Sequence, residues 1–148
     1  MGVKHVLTVP GRYEEIQKIC QFVADGAAES GLDETAVFHI ELACDEACTN
    51  IIEHAYGGEN KGEINISWQL KDSAFTVTFH DNGRSFNPDA VPKPALPPAP
   101  PDSASPSEID NVKVGGLGIH FMRQLMDDVQ FDFDEKEGNT LVLVKNKS

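Results

Sequence analysis

The segment from Asn87 to Val114 sets the tightest limit on what this chain can fold into. Eight of the nine prolines, at positions 88, 92, 94, 97, 98, 100, 101 and 106, fall there among Ala, Ser and Asp. A proline ring fixes φ and removes a backbone donor, so a run this dense excludes helix and sheet alike. Such a stretch usually links two domains, yet only residues 115–148 follow it. They are too few for an independent domain, and the strands among them must complete a sheet begun earlier. That makes 87–114 a long loop inside one domain spanning 1–148, and long internal loops often act as lids.

The rest of the composition supports a packed core. With 148 residues and 40% hydrophobic content, a chain should bury roughly 68–70% of its unfolded surface. Its 24 Asp and Glu against 12 Lys and Arg give a net charge of −12. That balance repels phosphate backbones and anionic head groups, which disfavours nucleic-acid or membrane binding and favours a basic protein partner. No apolar run approaches the ~20 residues of a spanning helix, and Met1 to Pro10 lacks the pattern of a secretory signal, so a cytoplasmic location is expected. Cys20, Cys44 and Cys48 read as core thiols, because no Cys/His set stands at metal-ligand spacing.

Periodicity predicts a strand over 4–9, closed by Pro10, and a helix from Glu14 to Ala28 with Ile16, Ile19, Cys20, Val23 and Ala27 on one face. A second helix begins near Asp33 and ends at Gly57-Gly58. Its apolar stripe runs from Val37 through Ile40, Cys44, Ala47, Cys48 and Ile51 to Ala55, while Glu46, Asn50 and Glu53 share another face. Strands follow at 63–70 and 74–80, then, beyond the proline segment, a helix from Leu117 to Met126 and strands near 129–134 and 140–145.

Three segments carry candidate chemistry. Glu46 and Asn50 stand one helical turn apart; spacing alone also fits a solvated face, but asparagine is a poor mid-helix residue, which suggests a task. Asp81-Asn82-Gly83 ends a strand and is also an ordinary turn sequence. Gly115-Gly116-Leu117-Gly118 opens a helix, where backbone N–H groups and the helix dipole favour phosphate. Neither the P-loop signature nor the dinucleotide fingerprint is present.

Taken in order, these segments resemble the ATP-binding module of the GHKL superfamily. Glu46-Ala47-Cys48-Thr49-Asn50 through Tyr56 is similar to its N box, Asp81-x-Gly83-x-x-Phe86 to the first glycine box, and Gly115-Gly116-Leu117-Gly118 to the second. The spelling His54-Ala55-Tyr56 and Gly118-Ile119-x-x-Met122-Arg123 narrows the resemblance to the anti-sigma-factor serine/threonine kinases of bacterial partner switching. It implies an α/β fold: a two-layer sandwich with a mixed, mostly antiparallel sheet backed by helices, binding ATP and Mg²⁺ under a lid at about 87–114.

By position, the resemblance implies that Asp81 accepts the adenine amino group, Gly83 admits the base and Thr140 places a hydroxyl near it. Asn50 would hold Mg²⁺; the second box, Gly115, Gly116, Leu117 and Gly118, would cradle the phosphates; and Glu46 would activate the attacking hydroxyl. One amide oxygen plus ATP oxygens is an adequate magnesium site, and phosphoryl transfer needs positioning and charge neutralisation above all. The cations near the boxes are Arg84, Lys113 and Arg123; Lys113 is expected to touch a phosphate, its other reading being a solvated lysine. The implied function is phosphorylation of a small anti-sigma-antagonist protein coupled to sequestration of a sigma factor. Rivals are a nucleotide-binding switch without kinase activity and a detached histidine-kinase catalytic domain. Members of the family commonly pair as dimers, so a homodimer is an expectation carried by resemblance alone.

The sequence departs from the superfamily at Ser85, where many members have a second glycine, and at Phe121, which replaces a smaller aliphatic. Between Ile19 and Asn60 stand nine acids and no Lys or Arg. These are either solvated helix faces or an acidic docking surface for a basic, DNA-binding factor.

Overall fold

The computed structural model describes residues 3–84, 118–134 and 136–147. The proline-rich segment, Lys113 and Gly115 to Leu117 lie outside them. Strand β1 (His5–Pro10) leads through a 3₁₀ turn (Tyr13–Glu15) into α1 (Ile16–Glu29). Helix α2 (Glu34–Asn50) begins where Asp33 caps it, the Asp33 carboxylate accepting from the Ala36 amide at 2.8 Å. Its axis continues through a π-helical turn (Ile51–Ala55), so the apolar stripe extends to Ala55 as the sequence pattern requires.

Strands β2 (Glu63–Lys71) and β3 (Ala74–Asp81) form a hairpin whose turn residues Asp72 and Ser73 both have positive φ, matching the twist of the strands. Helix α3 (Gly118–Leu125) precedes β4 (Asp128–Asp134) and β5 (Gly138–Asn146). The sheet order is β1-β2-β3-β5-β4, so the last two strands join the earlier sheet as expected. The α/β sandwich is the expected one; each of its four described pairings is antiparallel, leaving no parallel component among the described residues.

One face of the sheet carries Ile64, Ile66, Phe75, Val77, Phe79 and Leu143 into the core against α1 and α2. Alternation along β3 is strict, with every second residue from Phe75 to Asp81 buried. All three cysteines are free and buried in the helix interface. Burial pushes the Cys20 thiol up to about 12, which suits a packing group and not a thiolate nucleophile. Among the described residues no helix is long and apolar enough to cross a membrane.

Candidate nucleotide site

Four of the five buried polar residues of the described core gather at one end of the sheet; the fifth, Ser67, sits in the middle of β2. Glu46, Asn50, Asp81 and Asn139 are only 8%, 6%, 3% and 4% exposed, which excludes a solvated face for Glu46 and Asn50. Asn50, Asp81, Asn139 and Thr140 line one pocket, with Ala47, Ile51, Phe131, Phe133 and Leu141 as apolar wall. The enclosed space is about 10 Å³, room for about one water, so the described residues form the floor of a ligand site and not its whole envelope. A larger hollow of about 380 Å³ lies between α1 and α2 near Tyr13 and Cys20, away from this set.

Each side chain is placed by its backbone. Asn50 is the last residue of α2, one turn after Glu46, and the π-helical turn follows it directly. Such turns are rare and concentrate at functional sites. Here the turn presents two carbonyls outward: the Arg84 amide donates to Ala55 O at 2.9 Å and Arg84 Nε to His54 O at 2.9 Å. These bonds clamp the residues after β3 onto the helix end. Gly83 is pressed into the same junction, for a Cβ there would lie 2.6 Å from the Ala55 carbonyl oxygen. The glycine is therefore needed for packing against the π turn, a reason distinct from admitting a base. The Tyr56 hydroxyl adds a further tie by accepting from the Asn82 amide at 3.0 Å.

Asp81 closes β3 opposite Asn139 of β5. Gly138, at φ +93°, permits this approach: a Cβ there would sit 2.3 Å from the Asp81 carbonyl oxygen. Asp81 Oδ1 accepts from the Gly83 amide at 2.8 Å and from Asn139 Nδ2 at 2.9 Å. Burial raises the Asp81 pKa above its ordinary value, while the Gly83 amide, the Asn139 amide and His80 pull it back down.

The pocket thus unites Asn50, Asp81 and Thr140 of the expected set, with Gly83 bonded to Asp81 and Glu46 buried one turn from Asn50. Thr140 lines the pocket but is not the residue bonded to Asp81. In the strand register it faces His80, and it is its neighbour Asn139 whose side chain reaches Asp81. Sequence reasoning missed Asn139 because Gly-Asn reads as a turn; the alternation of Leu141 and Leu143 into the core was the available signal, since it puts Asn139 on their side. Gly118 opens α3, which packs against α2. Lys113, Gly115, Gly116 and Leu117 lie outside the described residues.

The site's chemistry leaves a donor for an anionic ligand such as a phosphate. Asn50 Nδ2 is buried with no hydrogen-bond partner among the described residues, an open position costly unless a ligand fills it. No group of three or more His, Cys, Asp or Glu among the described residues is placed to hold a metal. An ion here would need ligand oxygens besides the one Asn50 offers, as magnesium on a nucleotide has.

Comparison with known proteins agrees with this geometry. The model of the histidine kinase-like ATPase domain matches residues 9–145. A serine-protein kinase RsbW of Listeria monocytogenes is 30% identical over 145 residues, covering 98% of this chain and 88% of the relative. The serine-protein kinases RsbW of Bacillus mycoides and Bacillus velezensis are 32% and 28% identical over 139 residues, each match covering 94% of this chain and 82% of the relative. A crystal structure of RsbU and RsbW domains from Mycobacterium tuberculosis shares the fold, with a TM-score of 0.66 at 16% identity over 98% of this chain and 32% of that longer one. The chain belongs to the histidine kinase-like ATPase domain family, in the branch of the anti-sigma-factor serine-protein kinases.

Proposed function

We propose that the chain binds Mg-ATP at the Asn50–Asp81–Asn139 pocket and transfers the γ-phosphoryl group to a serine or threonine of a small anti-sigma-antagonist protein. The observation that carries this reading is the convergence of four of the five buried polar side chains of the described core on one end of the sheet. Asp81, an acceptor, receives the adenine amino group; Phe131 and Leu141 supply the apolar wall that a base requires. Asn50 offers its amide oxygen to the ion and its amide N–H groups to phosphate oxygens. Bound magnesium would neutralise phosphate charge, which matters in a chain of net charge −12.

Glu46, held out of water one helical turn from Asn50, orients the acceptor hydroxyl and takes its proton. The second glycine box and Lys113 close on the phosphates, within a single ATPase domain whose segment 87–114 serves as lid. The acidic stretch from Ile19 to Asn60 supports a basic, sigma-type factor as second partner, held in a complex that weakens as salt rises. Incubation with labelled ATP, magnesium and the antagonist protein encoded beside it tests the reading. Acid-stable phosphoserine or phosphothreonine that is lost in Glu46→Gln is the expected result. An acid-labile product, or no transfer with intact nucleotide binding, refutes it.

A further inference from the structure

We infer that Asn139 is a specificity-determining residue of the nucleotide site, holding the Asp81 carboxylate so that one oxygen alone, Oδ2, is offered to the base. The inference rests on the ATP reading above and names the residue that aims its base acceptor. Asn139 Nδ2 lies 2.9 Å from Asp81 Oδ1, 2.9 Å from Arg84 O and 3.3 Å from Gly83 O. The Gly83 amide reaches the same Oδ1 at 2.8 Å. Two N–H groups therefore occupy the two lone pairs of Oδ1. Both hydrogen bonds that the described residues give this carboxylate end on that atom. Oδ2 remains as the acceptor that Asp81 brings to the pocket.

The same amide fixes where that acceptor stands. By reaching Gly83 O and Arg84 O it joins the start of β5 to the residues that follow β3, and Arg84 in turn is bonded to the π-helical turn beyond Asn50. A carboxamide suits this junction because one nitrogen carries two donors, whereas a hydroxyl carries one. An ionised carboxylate is acceptor only, so a fixed Oδ2 admits an exocyclic amino group and repels an oxo group in its place. A site built around a ligand donor discriminates strongly against the analogue lacking it, since the buried acceptor is then left unpaired.

ATP and ITP differ at that one group and give the test. Their dissociation constants, with magnesium present, are measured by calorimetry for the unsubstituted chain, Asn139→Ala and Asn139→Thr, and thermal melting confirms folding. The unsubstituted chain is expected to prefer ATP by at least ~10-fold. Asn139→Ala should shrink that ratio to about threefold or less, chiefly through lost ATP affinity, and Asn139→Thr, which keeps one donor, should fall between. Should Asn139→Ala fail to fold, the ratio in Asn139→Thr decides. Equal loss of both nucleotides, leaving the ratio unchanged, is what a purely structural asparagine would give and overturns the inference alone. An unsubstituted chain that takes up neither nucleotide refutes the ATP reading itself.

Discussion

Gly83→Ala tests whether the loop after β3 is positioned by contact with the π-helical turn. The added Cβ would stand 2.6 Å from the carbonyl carbon and oxygen of Ala55 and 2.8 Å from its Cβ. Carbon atoms settle at about 3.5–4.0 Å, so roughly 1 Å of separation must come from backbone on both sides. Conformational strain adds nothing, for Gly83 is not among the positive-φ glycines. A shift of that size carries the bonds from the Arg84 amide and Arg84 Nε, both 2.9 Å, beyond hydrogen-bond reach. At a net 0.5–1.5 kcal/mol each, the loss is about 1–3 kcal/mol. Thermal denaturation should show it as a fall in Tm of roughly 3–10 °C, and ADP titration as a ~10- to 100-fold weaker Kd, since the Gly83 amide that orients the Asp81 carboxylate moves with the loop. Gly57→Ala is the control: its φ of +72° imposes strain of ~1–2 kcal/mol, but nothing lies within 4 Å of the new Cβ. It should lower Tm and leave ADP affinity alone. Unchanged Tm and Kd in Gly83→Ala would refute the reasoning.

Glu46→Gln keeps the shape of the side chain and removes its basicity; phosphoryl transfer should drop by ~100-fold or more with ATP affinity within about threefold, as read by labelled-ATP turnover beside calorimetry. Asp81→Asn retains a carbonyl oxygen for the Gly83 and Asn139 donors while turning a donor toward the base, so nucleotide uptake should vanish. Because burial raises the Asp81 pKa, its charged form is disfavoured in the fold, and this penalty sets in as pH rises above 3.8 through the raised value. Asp81→Asn should therefore melt higher than the parent chain at pH 7, the gap closing as pH falls toward 4; a gap that widens on acidification contradicts the assignment. Gly26→Ala would be stabilising by ~1 kcal/mol on helix propensity. Its Cβ, however, would lie 2.2 Å from Trp68 Cε2, and that indole is stacked on His5 at 4.0 Å and Phe75 at 5.5 Å. Overpacking of ~1–3 kcal/mol should win and lower Tm, whereas a rise would show that the stack yields.

The elements visible in the sequence are those whose residues repeat a burial pattern. The stripe from Ile40 to Ala55 and the alternation of β3 are written by the core itself, and both appear where the periodicity put them. Asn50 was legible as unusual because asparagine is a poor mid-helix residue, although spacing alone did not distinguish burial from solvation for it or for Glu46. What stayed hidden depends on contacts far apart in sequence. The π-helical turn leaves no local mark, since it is held by Arg84 from 29 residues beyond Ala55 and by bonds such as Gly58 N to Ile52 O. Asn139 looked like half of a turn because its role requires the pairing of β5 with β3, 58 residues away.

Helix α2 explains why these polar groups are tolerated. On its last turns Ala47 and Cys48 are fully buried, and Ile51 at the start of the π-helical turn nearly so, while Glu46 and Asn50 share that depth. Apolar residues at both positions would extend the core and remove an unpartnered amide worth about 1–3 kcal/mol. A chain shaped by stability alone would not keep them, and local conflicts of this kind are expected at functional sites. The conflict is confined to one end of one helix, adjacent to the end of β3 and the start of β5, which carry Asp81 and Asn139. Because α2 is also the element against which α1 and α3 pack, Glu46 and Asn50 are borne by the most constrained helix of the described fold. Preorganisation of that sort suits phosphoryl transfer, in which positioning and charge do most of the catalysis. A ligand seated at this end of the sheet would meet Glu46 and Asn50 already held in place by the core.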